Sequence, residues 1–362
     1  MVTDRRLERQ SAVRLALEAQ GLDGLLITHL PNIRYLTGFS GSAGLLLLRP
    51  KAAILISDFR YAAQASQEVG QSAQVEIDQR SVWDRLGRVL GNDGLDTLGI
   101  EAHALTVRDA ERLSGLTKAR VVPTVEVIER QRAVKSPEEV AAIRAAAELA
   151  QEALREVLPT IRPGQTELEV AAVLEAALRR RGSEWHPFQT IVASGPRSAL
   201  PHARTSTRRI ESGDLLLLDF GAQLNGYCAD LTRTVVVGAR ADERQRVMHE
   251  LVQSAQRRAI QQLRAGMSGY EGDALARELI ASRGFGDAFG HSLGHGVGLE
   301  VHEAPRVAPT ADTPLPLHAV VTVEPGVYFP GWGGIRLEDD VYLGPDGAER
   351  LSDGRTELLE LV

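Results

Sequence analysis

Along roughly the first 125 residues the apolar positions switch between two periods. Within residues 5–20, Leu7, Val13, Leu15 and Leu17 recur near helical spacing, and Gly21 supplies a stop. Short apolar runs follow at 25–27, 44–48 and 52–56, separated by the turn-forming Pro31-Asn32, Gly38, Gly41 and Pro50-Lys51. This alternation predicts an α/β module with mixed strands. No catalytic constellation stands in it.

The pattern changes near residues 125–139. Ser136 followed by Pro137 and by Glu139 three positions on is a capping box with proline at the first helical position. It predicts a helix over 137–158, ended by Pro159. A second helix is predicted from Thr166, with Glu169 completing its box, to about 181; a third spans about 242–263 and a fourth 270–283. Strands are expected at 215–218, 234–237, 320–323 and 340–343, which makes this part α+β with antiparallel hairpins. A chain of 362 residues suits two domains, and the expected division is 1–130 and 131–362.

Composition narrows the class. With 43% hydrophobic and 25% charged residues the chain has the apolar mass for sizeable cores, which excludes a disordered scaffold or a fibrous protein. A net charge of −7 argues against a general nucleic-acid partner. Cys228 is the only cysteine, which excludes an internal disulfide and cysteine-rich zinc or iron–sulfur sites. The N-terminal stretch lacks the apolar core of a signal peptide, and the longest apolar run, 43–48, is too short to span a membrane. A cytoplasmic location with no membrane partner is the expectation.

The chemistry concentrates in four segments of the second half. Asn225-Gly226 is a hairpin signal between Asp219 and Asp230. A turn centred between Leu224 and Asn225 sets the two aspartates opposite each other on one face. Glu324 and Glu338 are placed symmetrically about Gly331 in the loop Pro330-Gly-Trp-Gly-Gly334, so they too oppose each other. Carboxylates facing one another in an apolar sheet repel and are costly to desolvate, so a cation is expected between them. The third segment, 289–303, carries His291, His295 and His302 among glycines at 290, 294, 296 and 298, read as letting backbone approach a ligand. The fourth is the loop bearing His202. Two aspartates, two glutamates and one histidine form an oxygen-dominated shell suited to Mn²⁺, Co²⁺, Fe²⁺ or Zn²⁺. Bridging carboxylates would hold two such ions about 3.5–4 Å apart.

Each residue alone has a plainer reading: an aspartate is more often a turn or cap, and Glu338 stands in an acidic run, Glu338-Asp339-Asp340, of the kind that is usually solvated. The combination decides for ligands. Cys228 should face the other side of its strand as a small core residue. His29, His103, His186, His249 and His318 have no motif around them and are read as structural.

In order and context, Asp219, Asp230, His295, Glu324 and Glu338 resemble the five metal ligands of the pita-bread metallopeptidases. The resemblance is nearest to small bacterial Xaa-Pro dipeptidases (prolidases) and aminopeptidases P, and it covers essentially the whole chain. It implies an α/β creatinase-like N-terminal domain and an α+β pita-bread catalytic domain like that of methionine aminopeptidase. It implies two divalent metal ions, Mn²⁺ first, with Co²⁺, Zn²⁺ or Fe²⁺ as alternatives, activating a water for attack on the carbonyl before proline. Glu324 would also relay a proton, His302 would meet the developing oxyanion, His202 and His291 would line the pocket and assist the leaving imide nitrogen, and Arg336 would hold a ligand carboxylate. Substrates would be proline-containing dipeptides or longer Xaa-Pro peptides, and the assembly a homodimer or larger. Segments 31–35 and 57–61 resemble creatinase-like N-domain stretches, with no site assigned. A catalytically dead binding module and a metal-free amidinohydrolase are the competing readings, disfavoured because all five ligand positions are present.

Overall fold

The structure, a computed structural model, describes residues 4–91, 94–352 and 355–362. It divides into two compact units, Met1–Arg132 and Ala133–Val362.

The first unit alternates helix and strand: α1 Arg6–Ala19, β1 Leu25–Ile27, α2 Leu30–Thr37, β2 Leu45–Leu48, β3 Ala53–Asp58, α3 Ala62–Val69, β4 Gln74–Asp78, α4 Val82–Leu90, β5 Thr97–Glu101, α5 Val107–Ser114, β6 Arg120–Thr124 and α6 Glu129–Arg132. The six strands form one sheet in the order β4-β3-β2-β1-β5-β6. The β2 strand pairs antiparallel with β1 and β3, and the outer pairings are parallel. The sheet is therefore mixed. Its central strands are unbroken apolar runs because both faces are covered; Leu26, Leu47, Ile56 and Leu98 pack with Leu86 and Leu90 of α4.

The second unit contains α7 Pro137–Val157, α8 Glu167–Arg180, β7 Ile191–Ser194, β8 Leu215–Leu224, β9 Tyr227–Val237, α9 Glu243–Gln262, α10 Gly269–Ser282, β10 Gly294–Gly296, β11 Glu303–Val307, β12 Val320–Val323, β13 Gly326–Phe329, β14 Gly333–Arg336, β15 Asp339–Gly344, β16 Gly347–Arg350 and β17 Glu360–Leu361. The helix starts follow the capping logic. Ser136 Oγ accepts from the Glu139 N–H while the Glu139 carboxylate accepts from the Ser136 N–H, and Thr166 and Glu169 do the same. The α7 helix ends at Val157, and Leu158–Thr160 tightens into a 3₁₀ turn around Pro159.

Two sheets carry this unit, one ordered β17-β9-β8-β7 and the other β11-β10-β12-β15-β16, with β13-β14 as a separate hairpin. Ala146, Ala150 and Leu154 of α7 and Val170 and Leu174 of α8 bury Leu216, Leu218, Phe220 and Leu231 of the first sheet. Val252, Ala255 and Ala259 of α9 and Ala276 and Ile280 of α10 pack in a second cluster with Val321, Val323 and Val341. The strands β8 and β9 run well past the expected 215–218 and 234–237. The apolar runs stop at polar residues that are themselves buried in the sheet, among them Asp219, Asp230, Thr232 and Arg233.

Candidate metal centre

The β8–β9 hairpin turns on Asn225 and Gly226, both at positive φ (52° and 81°), as a tight two-residue turn requires. The turn is therefore centred one residue later than the expected position between Leu224 and Asn225: Leu224 pairs with Tyr227, Gly221 with Asp230 and Asp219 with Thr232. Asp219 and Asp230 are diagonal neighbours and not a direct pair. A shift of two in partner position preserves side-chain parity, so both still project from one face. The second pair keeps its register. Val323 pairs with Asp339 and Gly326 with Arg336, and between them the Leu337 N–H donates to Pro325 O. Glu324 and Glu338 sit at this break in the ladder, and the Glu338 N–H donates to Thr232 O (3.1 Å), tying the second hairpin to the first.

These strands, with β10, converge their ligand atoms. Three mutually close groups have donor atoms all within 4.8 Å of one another: Asp219, Asp230 and Glu338; His295, Glu324 and Glu338; and Asp230, His295 and His302. Asp230, His295 and Glu338 each belong to two of them, so the three groups form one continuous cluster. His295 Nε2 lies 3.5 Å from Glu324 Oε1 and 3.8 Å from Asp230 Oδ2. Its Nδ1 is 3.1 Å from the Gly296 carbonyl, a contact that only the Nδ1–H tautomer satisfies. The Nε2 lone pair thus points at carboxylate oxygens.

Burial pushes all four carboxyl groups above their ordinary range, and their mutual repulsion adds to the effect at Asp230 and Glu338. Glu324 is pushed up to about 8. Burial lowers His295 to about 4, so its imidazole is neutral at neutral pH. Asp219 Oδ1 and Asp230 Oδ1 are buried without a hydrogen-bond partner. Orphaned carboxylate oxygens and a neutral imidazole lone pair converging on one volume are what divalent cations require and what nothing else nearby supplies. The donor set fits a pair of such ions.

The surroundings hold these side chains by hydrogen bonds. Arg336, buried, donates through Nη2 to Asp219 Oδ2 and through Nη1 to the Tyr328 hydroxyl (2.8 Å) and Pro201 O (3.1 Å). Thr232 Oγ1 donates to Glu338 Oε2 (2.5 Å) and accepts from Arg336 Nε (3.2 Å). Thr322 Oγ1 donates to Glu324 Oε1 (3.2 Å) and accepts from the His295 N–H (3.1 Å). Asp340 Oδ2 accepts from the Asp230 N–H (3.1 Å). Thr232, Thr322, Tyr328 and Asp340 were not singled out from the sequence. Thr232 had a usable signal, since it lies two residues after Asp230 on the same strand face.

The accessory histidines gather here too. His302 stacks edge-on against His295 with ring centres 4.2 Å apart. His291 places Nδ1 2.8 Å from Ser292 O and Nε2 2.9 Å from the Tyr328 hydroxyl, and burial lowers its pKa to about 4. His202 lies in the turn just after the 3₁₀ segment Gly195–Ala199, exposed, and close enough for its charge to act on Asp219, His291 and His302. Cys228, two residues before Asp230 on β9, lies on the same strand face as the two aspartates and not on the other side as expected; it is buried, and burial pushes its thiol up to about 12.

Two of the four glycines of the histidine segment, Gly294 and Gly296, have a different cause from the one expected. A Cβ at Gly294 would fall 2.0 Å from Thr322 O, and one at Gly296 would fall 2.2 Å from Ala304 O. These are the neighbouring strands' carbonyls, so close packing within the sheet, and not approach to a ligand, demands glycine there.

Comparison with known proteins agrees with this geometry. Residues 141–345 match metallopeptidase family M24, and residues 9–134 match the creatinase/prolidase N-terminal domain. The Xaa-Pro dipeptidase of Pyrococcus horikoshii is 37% identical over 95% of this chain and 96% of its own length. Among solved structures, an Xaa-Pro dipeptidase from Bacillus anthracis superposes with a TM-score of 0.95 at 39% identity, covering 98% of this chain and all of the other. An X-Pro aminopeptidase from Thermotoga maritima gives 0.89 at 37%, covering 97% and 99%. The creatinase-like first unit, the pita-bread second unit and the carboxylate–histidine centre within it identify this chain as a member of metallopeptidase family M24.

Proposed function

We propose that this peptidase hydrolyses the Xaa-Pro bond of dipeptides at a two-metal centre held by Asp219, Asp230, His295, Glu324 and Glu338. The observation that carries the reading is the buried convergence of four carboxyls with one neutral imidazole lone pair. Divalent ions bound there supply a water ionised near neutral pH and polarise the scissile carbonyl. The donor set, four carboxylates to one nitrogen, suits Mn²⁺ first and accommodates Co²⁺, Fe²⁺ or Zn²⁺.

The chain's own residues do the rest. Glu324, kept ionised when a cation is bound, accepts the attacking water's proton at its carboxylate. His302, half-buried beside His295, donates a hydrogen bond to the carbonyl oxygen as negative charge develops on it. His202, exposed at the rim, delivers a proton to the leaving imide nitrogen. His291 has both ring nitrogens engaged: Nδ1–H donates to Ser292 O, and Nε2 accepts from the Tyr328 hydroxyl, which itself accepts from Arg336. We therefore assign it to holding the Tyr328–Arg336 pair, and through Arg336 the Asp219 carboxylate, more than to proton transfer. Proline suits the reaction because its tertiary amide has a fixed φ and no N–H to offer a general peptidase.

A second reading, release of the N-terminal residue from longer Xaa-Pro peptides, is favoured by the similarity to the Thermotoga maritima X-Pro aminopeptidase. Hydrolysis of Ala-Pro and Ala-Pro-Ala by Mn²⁺-reconstituted protein separates the two. Cleavage of the dipeptide alone supports the dipeptidase, preferential cleavage of the tripeptide supports the aminopeptidase, and silence on both overturns the Xaa-Pro assignment. A cytoplasmic homodimer is part of the same proposal; among the described residues no helix is long and apolar enough to cross a membrane. Light scattering on the purified chain tests the dimer.

A further inference from the structure

Two histidines read from the sequence as structural meet a carboxylate in the first unit. His29 lies just before α2, His103 in the turn after β5, and Glu129 opens α6; one ligand atom of each falls within 4.8 Å of the other two. The His29 and His103 rings meet edge to face at 5.0 Å, and His103 Nε2 stands 3.4 Å from Glu129 Oε1. That separation is long for an N–H···O hydrogen bond, whose usual length is about 2.9–3.0 Å. It matches the edge of a tetrahedral metal site, where bonds of about 2.0–2.1 Å put neighbouring ligand atoms about 3.3 Å apart.

The backbone that carries His29 and the carboxylate of Glu129 are held in place by groups the peptidase centre does not use. Glu101, buried, accepts the backbone N–H of Thr28 (2.7 Å) and of His29 (2.8 Å), fixing the chain that carries His29. Asn32, fully buried, donates its amide to both Glu101 Oε1 (2.7 Å) and Glu129 Oε1. Its oxygen accepts from Arg132 Nη1 (2.8 Å), which fixes which way the amide points. The Glu129 carboxylate is therefore aimed by a buried amide, as outer hydrogen bonds orient metal ligands elsewhere, while the buried Glu101 carboxylate fixes the backbone that carries His29.

We propose that His29, His103 and Glu129 form a zinc-class divalent cation site in the N-terminal unit. Two imidazoles and one carboxylate are a donor set Zn²⁺ uses with a fourth position left to water, and the exposure of His103 leaves that position open to solvent. The site staples the start of α2, the turn after β5 and the start of α6. It joins segments about a hundred residues apart, so binding there ties the end of the unit to its beginning. The nitrogen-rich set ranks Mn²⁺ well below Zn²⁺, unlike the carboxylate-rich centre of the second unit.

The test is the zinc content of stripped full-length protein after equilibrium dialysis against saturating free Zn²⁺, compared between wild type and His103→Ala. The expected result is one equivalent more in wild type, with the same difference of one in an Asp230→Asn background, so that it does not depend on peptidase activity or on the catalytic centre. Glu129→Gln, which keeps an oxygen for the Asn32 amide, is expected to bind that equivalent at least tenfold more weakly and guards against misfolding of the alanine variant. Equal zinc contents in wild type and His103→Ala, or loss of the difference in the Asp230→Asn background, would overturn the assignment.

Discussion

Removing the metal from the catalytic centre should make the protein less stable as pH rises, and Glu324 sets the scale. Burial moves its carboxyl from an ordinary 4.5 to about 8. In that interval the folded chain holds a proton that the unfolded chain has lost, so stability falls with pH by about 1.4 kcal/mol per unit. The whole interval amounts to about 5 kcal/mol, present below the unfolded value and gone above the folded one. Buried histidines act with the opposite sign. His249, His291 and His295 are lowered to about 4, so their contribution rises with pH and is complete above the ordinary value of 6.5. Between pH 6.5 and 8 only the carboxyl effect remains, and Glu324 alone accounts for about 2 kcal/mol there. Urea unfolding of metal-stripped wild type and Glu324→Gln across that range measures it. The stripped wild type should lose stability with pH more steeply than the variant by about 1.4 kcal/mol per unit. Saturating Mn²⁺ should abolish the wild-type slope, because a bound cation keeps the carboxylates ionised in the folded state. Parallel lines for stripped wild type and variant would refute the claim that Glu324 is buried among like charges awaiting a cation.

Other consequences can be measured separately. Thr232→Val keeps shape but removes the hydroxyl that donates to Glu338 and accepts from Arg336, so metal affinity should fall about 10–100-fold with the fold intact, by competition with a chelating dye. Lys135→Ala removes the cation of a buried 2.7 Å pair with Glu303, the neighbour of His302, and should cost about 3–5 kcal/mol in urea unfolding. Gly296→Ala sets a Cβ against Ala304 O, and should give protein that either fails to accumulate folded or binds metal poorly through displaced His295. Cys228 should resist a thiol reagent in native protein and react as one equivalent in denaturant, since burial keeps its thiol protonated.

The helix starts were legible because a capping box is a local device: Ser136 with Glu139, and Thr166 with Glu169, need no tertiary partner to be recognised. The convergence of the Asp219 and Asp230 side chains was legible because hairpin parity survives an error of one in the position of the turn. Strand extent was not legible where it mattered most. Buried polar residues such as Thr232 and Arg233 interrupt the apolar run, and their partners, Glu338 and Asp339, lie about a hundred residues away. The same distance hid the pairing of His29, His103 and Glu129, which share no local pattern. The glycines at 294 and 296 were correctly seen as close approaches, but sequence alone does not tell a ligand from a neighbouring carbonyl.

The central claim is met most directly by titrating stripped protein with Mn²⁺ while following cleavage of Ala-Pro. The account predicts no cleavage in chelator and a rise that saturates at two Mn²⁺ per chain, with Asp230→Asn and Glu338→Gln failing to reach it. Undiminished cleavage in chelator, or a chain holding two Mn²⁺ at this centre that leaves both Ala-Pro and longer Xaa-Pro peptides intact, would contradict it.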